Sequence, residues 1–177
     1  FYCDIYKLED SSYLIFEPKK DLIKKKYYKI NTYKAVNDEN IALNDLEELL
    51  YSAIEKRLIS SPSTLLSGGI DSSLISSIYT KISGRKIDTF SIGYNEYKNY
   101  CELPYAKITS NHINSNHHEI IIDKKNYIDS FYNTLEFFDE PHGDSAAVPL
   151  NFLLKNVKDF GVNSLLSGEG ADELFFG

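Results

Sequence analysis

The sequence predicts an α/β fold: a parallel, twisted sheet with helices on both faces, preceded by a short β segment. Three observations predict it. From about residue 43 onward, short apolar runs alternate with amphipathic helical stretches. Two of the apolar runs end in glycine loops, Ser67-Gly68-Gly69 and Ser167-Gly168-Glu169-Gly170, that lead directly into helical sequence. A chain of 177 residues with 42% hydrophobic content is also long and apolar enough to bury a real core.

The elements follow in order. Tyr13 to Phe16 is an apolar run and reads as a strand. Lys19 to Lys29 is basic and carries Tyr27 and Tyr28. Nucleic-acid binding is one reading of that stretch; a solvated connector with an edge strand suits it better, because the charge is local and the chain is acidic. Val36 to Asn40 is polar and reads as a linker, the one candidate domain boundary. Leu43, Leu46, Leu49, Leu50, Ala53, Ile54 and Leu58 recur at helical spacing, with Asn44 or Asn40 near the start. A strand at Thr64–Leu66 precedes a helix through Leu74, Ile75, Ile78 and Ile82, closed by Gly84. A strand at Ile87–Ile92 precedes a helix from Glu102 to about His112. A strand at Glu119–Ile122 precedes a helix through Tyr127, Phe131, Leu135 and Phe138. A helix from Pro149 to Val157 leads to the last strand, Val162–Leu166.

Composition narrows the function. The net charge of −7 argues against nucleic acid as the main partner, since that affinity rests on Lys and Arg. No apolar run reaches the roughly 18 residues a membrane span needs, and no secretion signal opens the chain. Cys3 and Cys101 are too few for a disulfide framework, so a reducing cytoplasm is the expected compartment.

The strand–loop–helix at Ser63–Ser73 is built to grip a phosphate. Gly68 and Gly69 let the backbone turn sharply and approach a ligand. The following helix then aims its unpaired N–H groups and positive dipole end at the anion. Ser67, Ser72 and Ser73 add hydroxyls. Asp71 would repel a phosphate unless a divalent cation stands between them. The loop lacks the Lys of the Walker motif and the spacing of the dinucleotide fingerprint. Its pattern, Ser-Gly-Gly-x-Asp-Ser, matches the pyrophosphate loop of ATP pyrophosphatases. Ligands of parallel α/β sheets bind beyond the carboxyl ends of the strands. There, the backbone edge near Ile92 suits a flat base. If the first and last strands are neighbours, Asp71 and Asp172 face one crevice and suit Mg²⁺ held together with phosphates. Asp172 and Glu173 also fit a plainer role, as surface charges at a helix start.

Several segments together resemble, in order, the synthetase domain of the glutamine-hydrolysing asparagine synthetase family. They are Leu65–Ser73, Phe90-Ser-Ile-Gly93, Glu102-Leu-Pro-Tyr-Ala106, His117-His-Glu119, Asp139-Glu-Pro141 with Asp144–Pro149, and Leu166–Leu174. The resemblance runs from about Asp45 to Gly177. It implies an adenine nucleotide α-hydrolase-like fold, with residues 41–177 an ATP-binding synthetase domain cut short at its C-terminus. Residues 1–40 resemble, more weakly, the tail of a glutaminase domain and its linker. The resemblance also implies roles. Ser67, Gly68, Gly69, Asp71 and Ser72 would hold the pyrophosphate, and Leu66 and Ile92 would frame the adenosine. Ser167 and Gly168 would contact the nucleotide, Glu169 would sit by the reacting acyl group, and Asp71 and Asp172 would bind Mg²⁺. ATP would activate the aspartate side-chain carboxylate as an acyl-adenylate, and ammonia from glutamine would complete the amide. A homodimer is the expected assembly of the full-length protein.

Some residues depart from the family pattern. Cys3 is not at a mature N-terminus and has no α-amino group of its own to act as base, so it reads as ordinary. The chain ends at Gly177, where the family continues into helices carrying a catalytic Lys. Phe176 stands where Gly is usual, and His142-Gly143 replace Phe-Ala, which leaves the acceptor open. Sister ligases with another carboxylate acceptor (β-lactam or lasso-peptide cyclases, surface-sugar amidotransferases) remain the alternative. A tRNA-modifying transferase would call for basic patches and catalytic cysteines that the chain lacks. A non-catalytic nucleotide-binding module is the third alternative. His117, His118 and Glu119 enter a strand, where neighbours point to opposite faces, so both histidines would not serve one metal. His112 reads as a helix-surface residue and Cys101 as structural.

Overall fold

A computed structural model of the chain describes residues 3–30, 36, 38–96, 101–138 and 143–175. The segments Asp139–Pro141, His142 and Phe176 singled out above lie outside the described residues. The chain divides into two compact units, Phe1–Ala42 and Leu43–Gly177.

In the first unit, β1 (Ser12–Ile15) and β2 (Ile23–Lys26) form an antiparallel hairpin with Ser12 opposite Lys26. The edge strand expected within the basic run is therefore β2, exposed along its whole length. Lys24 pairs with Glu9.

Helix α1 (Glu39–Glu55) starts ahead of Leu43, where its apolar periodicity begins. Part of the stretch read as linker is thus helical. The reason is Asp38: its carboxylate accepts the N–H groups of Asn40 at 2.9 Å and Ile41 at 3.2 Å. That satisfies two orphan donors at the helix start, so neither Asn40 nor Asn44 is the cap. A 3₁₀ turn at Leu58–Ser60 follows.

The second unit is built on a four-stranded sheet in the order β5-β4-β3-β6, all parallel. The strands are β3 (Ser63–Leu65), β4 (Asp88–Tyr94), β5 (Asn116–Ile122) and β6 (Leu165–Leu166). The intervening helices are α2 (Ile70–Ser83), α3 (Leu103–His112), α4 (Lys124–Leu135) and α5 (Ala147–Asp159); α6 (Ala171–Phe175) closes the described chain. From β3 the chain steps outward to β4 and β5, then returns across the sheet to β6. Right-handed crossovers in opposite directions put their helices on opposite faces. So α2 and α3 cover one face, and α4 and α5 the other.

The core follows that division. Ile54, Ile78, Tyr79, Ile87 and Ile113 pack together on the α2 side. Phe90, Ile120, Leu153 and Val157 pack on the α5 side. Alternation along β4 divides the two faces: Phe90 joins the α5-side cluster, while Thr89 and Ser91 are buried on the other face. Hydroxyls buried between α2 and the sheet are paired: Ser76 Oγ donates to Thr64 Oγ1 at 2.9 Å.

Strand limits moved where pairing decided them. β5 begins at Asn116 rather than Glu119, because it pairs with β4 along its whole length, from Asp88–Asn116 to Tyr94–Ile122. β6 keeps only Leu165 and Leu166 of the expected Val162–Leu166, since its partner β3 is itself three residues long. Val162 packs instead against the α5-side core. Helix α4 ends at Leu135, short of Phe138. No helix among the described residues is long and apolar enough to cross a membrane.

Helix α4 carries a cap whose energetic role is directly testable. Asp123 accepts the Asn126 N–H at 2.7 Å. Asp123→Ala should cost about 1 kcal/mol in urea unfolding, whereas Asp123→Asn should cost only a few tenths. Equal losses would show that the side chain acts by charge rather than as a cap.

Candidate nucleotide site

An open cavity of about 500 Å³ lies at the carboxyl ends of β3, β4 and β6. That volume is in the range of small-molecule sites. β3 is the point where the chain reverses its direction across the sheet, which is where parallel α/β sheets open a crevice.

One end of the cavity is apolar: Leu65, Phe90 and Ile92 from the strands, and Pro149, Leu150 and Leu153 from α5. The other end is polar. Ser67, Gly69, Asp71 and Ser72 line it from the loop after β3. Ser167, Gly168, Glu169 and Asp172 line it from the loop after β6. Leu66 also lines it. The structure thus gathers the singled-out residues into one cavity wall, except Gly68, which supports the loop from behind, and Ser73, which does not reach the cavity because its hydroxyl meets Thr109 Oγ1 at 3.0 Å.

Gly68 has φ +91°, and a Cβ there would fall 2.4 Å from the Ala106 N and 2.6 Å from Tyr105 Cβ. The loop therefore presses against the first turn of α3, and only glycine fits. The loop is then fixed by its own serines. The Ser67 and Ser72 hydroxyls lie 2.8 Å apart, Gly69 N–H donates to Ser67 Oγ at 3.2 Å, and Ser67 N–H donates to Ser72 Oγ at 3.2 Å. No side chain caps α2 at Gly69, so the first N–H groups of the helix stay available to an anion.

Gly168 joins the two loops. A Cβ there would lie 3.1 Å from Asp71 Cβ and 3.1 Å from Ser72 N. The β6 loop thus sits directly on the first turn of α2, as the pairing of β3 with β6 demands. All the oxygen donors are hard, as Mg²⁺ prefers. Among the described residues no three His, Cys, Asp or Glu side chains gather to hold a metal by themselves. Asp71 and Asp172 fit Mg²⁺ only in its usual mode, with phosphate oxygens and water completing the shell.

The tips of β3 and β4 part at the cavity. Leu66 N–H still donates to Phe90 O at 2.8 Å. The next ladder bond, from Ile92 N–H to Leu66 O, is not made; the buried Ser91 hydroxyl takes the Leu66 carbonyl instead. Ile92 points its N–H and C=O the same way as Phe90, toward β3, because backbone direction alternates along a strand. An adjacent donor and acceptor are left facing the crevice.

Other wall residues carried no assigned role in the sequence. Tyr94 and Glu102 line the cavity, as do Ala146 and the first turns of α5. Burial pushes the Tyr94 phenol above its usual pKa, with Tyr127, Glu102 and Cys101 adding to the effect, so it stays a donor at neutral pH. Glu102 and the segment before α5 stood out only as matched motifs; nothing in their spacing says that they reach the tips of β3 and β4. His117 and His118 do point to opposite faces. His118 Nε2 bonds Asp88 at 2.9 Å and stacks on Phe90, whereas His117 Nδ1 bonds Thr89 at 2.9 Å.

Fold and cavity define a class: α/β proteins whose ligand site lies beyond the carboxyl ends of a parallel sheet, at a reversal of strand order. Comparison with known sequences places the chain within it. A sequence model of the family described as asparagine synthase matches residues 45–177. Asparagine synthetase (glutamine-hydrolyzing) 1 of Bacillus subtilis is 33% identical over 175 residues, 98% of this chain and 27% of that protein. A Methanocaldococcus jannaschii relative is 33% identical over 99% of this chain and 34% of that protein. Asparagine synthetase B of Escherichia coli is 28% identical over 82% of this chain and 29% of that protein. The chain belongs to the asparagine synthase family. It spans about a third or less of the length of these relatives. Among solved structures, an NMN synthetase from Francisella tularensis overlays with TM-score 0.39 and 20% identity, over 55% of this chain and 41% of that one. That likeness is too slight to support a conclusion.

Two glycines separate the effect of backbone conformation from that of close packing. Gly68 and Gly84 both have positive φ, but only Gly68 is in contact with a neighbour where a Cβ would go. Gly84→Ala should cost about 1 kcal/mol of stability. Gly68→Ala should cost about 1–3 kcal/mol more, through collision with the α3 backbone. Urea unfolding of both variants measures the difference, and equal costs would mean that the loop does not press on α3.

Proposed function

We propose that this chain forms the ATP-binding core of an ATP-dependent, amide-forming ligase of the asparagine synthetase type. The observation that carries the reading is the meeting of two glycine loops, from the neighbouring strands β3 and β6, at the polar end of one amphipathic cavity.

In this reading the adenine lies at the apolar end, against Leu66 and Ile92. The Ile92 C=O accepts from the adenine amino group and its N–H donates to the neighbouring ring nitrogen. Guanine presents the reverse pattern there, so ATP is favoured over GTP. The triphosphate runs to Ser67, Gly68, Gly69 and Ser72, where the first-turn N–H groups and the dipole of α2 take up negative charge. Ser167 and Gly168 hold the nucleotide from the other side. Asp71 and Asp172 would hold Mg²⁺, which when bound neutralises charge growing on the departing pyrophosphate.

The reaction then proceeds in two displacements. A substrate carboxylate oxygen attacks the α-phosphorus of ATP, and the bond to the β-phosphate oxygen breaks, giving an acyl-adenylate and pyrophosphate. Ammonia attacks the acyl carbon, loses a proton, and expels AMP to leave an amide. Glu169, on the β6 loop, lines the cavity near the reacting acyl group. Its carboxylate is placed to orient the amine and take its proton. Positioning supplies most of the remaining rate. Aspartate is the carboxylate substrate and glutamine the source of ammonia in this reading, and the remainder of the full-length protein would supply the acceptor pocket and the ammonia.

Pyrophosphate release by the full-length protein tests the proposal. With Mg·ATP and ammonia, release should depend on aspartate and yield AMP in equal amount. Release with a different carboxylate only would make the protein a sister ligase. Absence of release with any acceptor, despite ATP binding, would reject the ligase reading. Asp71→Asn and Asp172→Asn should each lower turnover at least about a hundredfold, since the charge is what the metal needs. Turnover retained in either variant would reject that ligand assignment.

A further inference from the structure

His117 lies outside the cavity and takes no part in the chemistry above. It stands opposite Thr89 in the β4–β5 ladder, and both share the sheet face covered by α3. Leu103, in the first turn of α3, fills the space that a side chain at Gly93 would take on that same face. The imidazole is sealed beneath: its side chain is 2% exposed. Nδ1 meets Thr89 Oγ1 at 2.9 Å, and Thr89 Oγ1 meets Ser115 Oγ at 2.9 Å. Nε2 is buried and has no hydrogen-bond partner. A buried polar atom without a partner is rare and costly.

The surroundings disfavour a charge on this ring. Glu119 on β5 favours a charge, but it stands 3.8 Å from Nε2, beyond hydrogen-bond reach. Lys107 on α3 and His118 on β5 oppose a positive charge. On β4 the ring faces the neutral Thr89 hydroxyl, while the Asp88 carboxylate serves His118 on the opposite face. Burial is the largest effect and holds His117 below the usual histidine pKa.

We propose that His117 is a proton-sensitive latch that holds α3, and through it the Gly68 loop, against the sheet. Neutral, the ring fits under α3 with one nitrogen bonded and the other dry. Protonated, it carries a charge and a second N–H donor that Glu119, at 3.8 Å, does not meet with a hydrogen bond, and lifting α3 admits water to it. The motion has a direct path to the loop. The first turn of α3 abuts Gly68, and Thr109 of α3 meets Ser73 of α2 hydroxyl to hydroxyl at 3.0 Å. The sign follows from linkage. The unfolded or lifted state takes up its proton near pH 6.5, before the closed state does. The closed state therefore loses stability as pH falls below about 6.5, until the lowered folded value is passed. The inference needs no bound nucleotide and stands apart from the ligase reading.

Hydrogen-exchange protection of the full-length protein, compared between pH 7.5 and 5.5, is the test. In the wild type, protection of α3 and of residues 67–69 should fall by up to about tenfold per pH unit below 6.5. Helices α4 and α5 should keep theirs. His117→Gln, which retains a polar side chain but does not titrate, should abolish the pH step. The same step in His117→Gln, or a wild-type loss shared equally by α4 and α5, would overturn the latch. Should His117→Gln fail to fold, Glu119→Gln keeps the imidazole and removes the acid that favours its charge. The loss should still begin near pH 6.5 but extend to lower pH and grow larger, and a smaller loss than in the wild type would also overturn the proposal.

Discussion

The pairing of β3 with β4 on one side and β6 on the other is the constraint on which the rest of this unit depends. Parallel strands need long crossovers, and crossovers of one hand put α2 and α3 on one face and α4 and α5 on the other. Every loop that carries chemistry then leaves the sheet at the same end. The loops after β3 and β6 are not merely near each other. Gly168 is pressed against Asp71 and Ser72, and Gly68 against Tyr105 and Ala106. Gly68 is needed because the α3 backbone occupies the space its Cβ would take, whereas a Cβ at Gly168 would make tight contacts at 3.1 Å with Asp71 and Ser72.

The interface beneath α2 and α3 is made largely of small hydroxyl residues. Thr64, Ser72, Ser76, Thr89, Ser91 and Ser110 are all buried. Small side chains let the helices settle close to the sheet, and buried hydroxyls must then find partners. Ser76 finds Thr64, Ser73 finds Thr109, and Ser67 finds Ser72. Ser91 illustrates how such a bond reaches into function. By taking the Leu66 carbonyl it ends the β3–β4 ladder one bond early, and the backbone of Ile92 is left open to the crevice.

Much of this was legible in the residues. Strand and helix order could be read from apolar periodicity, because Leu43 to Leu58 keep helical spacing and Tyr-Leu-Ile-Phe keeps none. Element limits were less legible, since they depend on partners remote in sequence. Asp38 starts α1 by a side-chain bond that hydrophobic pattern does not encode, and β6 is short because β3 is short. The same holds for the cavity wall: Tyr94, Glu102 and the first turns of α5 reach it through topology alone.

The sequence by itself determined the chemistry on offer: two glycine loops, the carboxylates Asp71 and Asp172, and an alternation that forces a parallel sheet. Those are local properties, set by the backbone freedom of glycine, by side-chain charge and by period. Only the tertiary structure decided that the loops touch, that α5 roofs the apolar end, and that His117 lies sealed with one nitrogen unpaired. Such facts arise from which strands become neighbours, and that choice is made by packing and crossover hand across more than a hundred residues of chain.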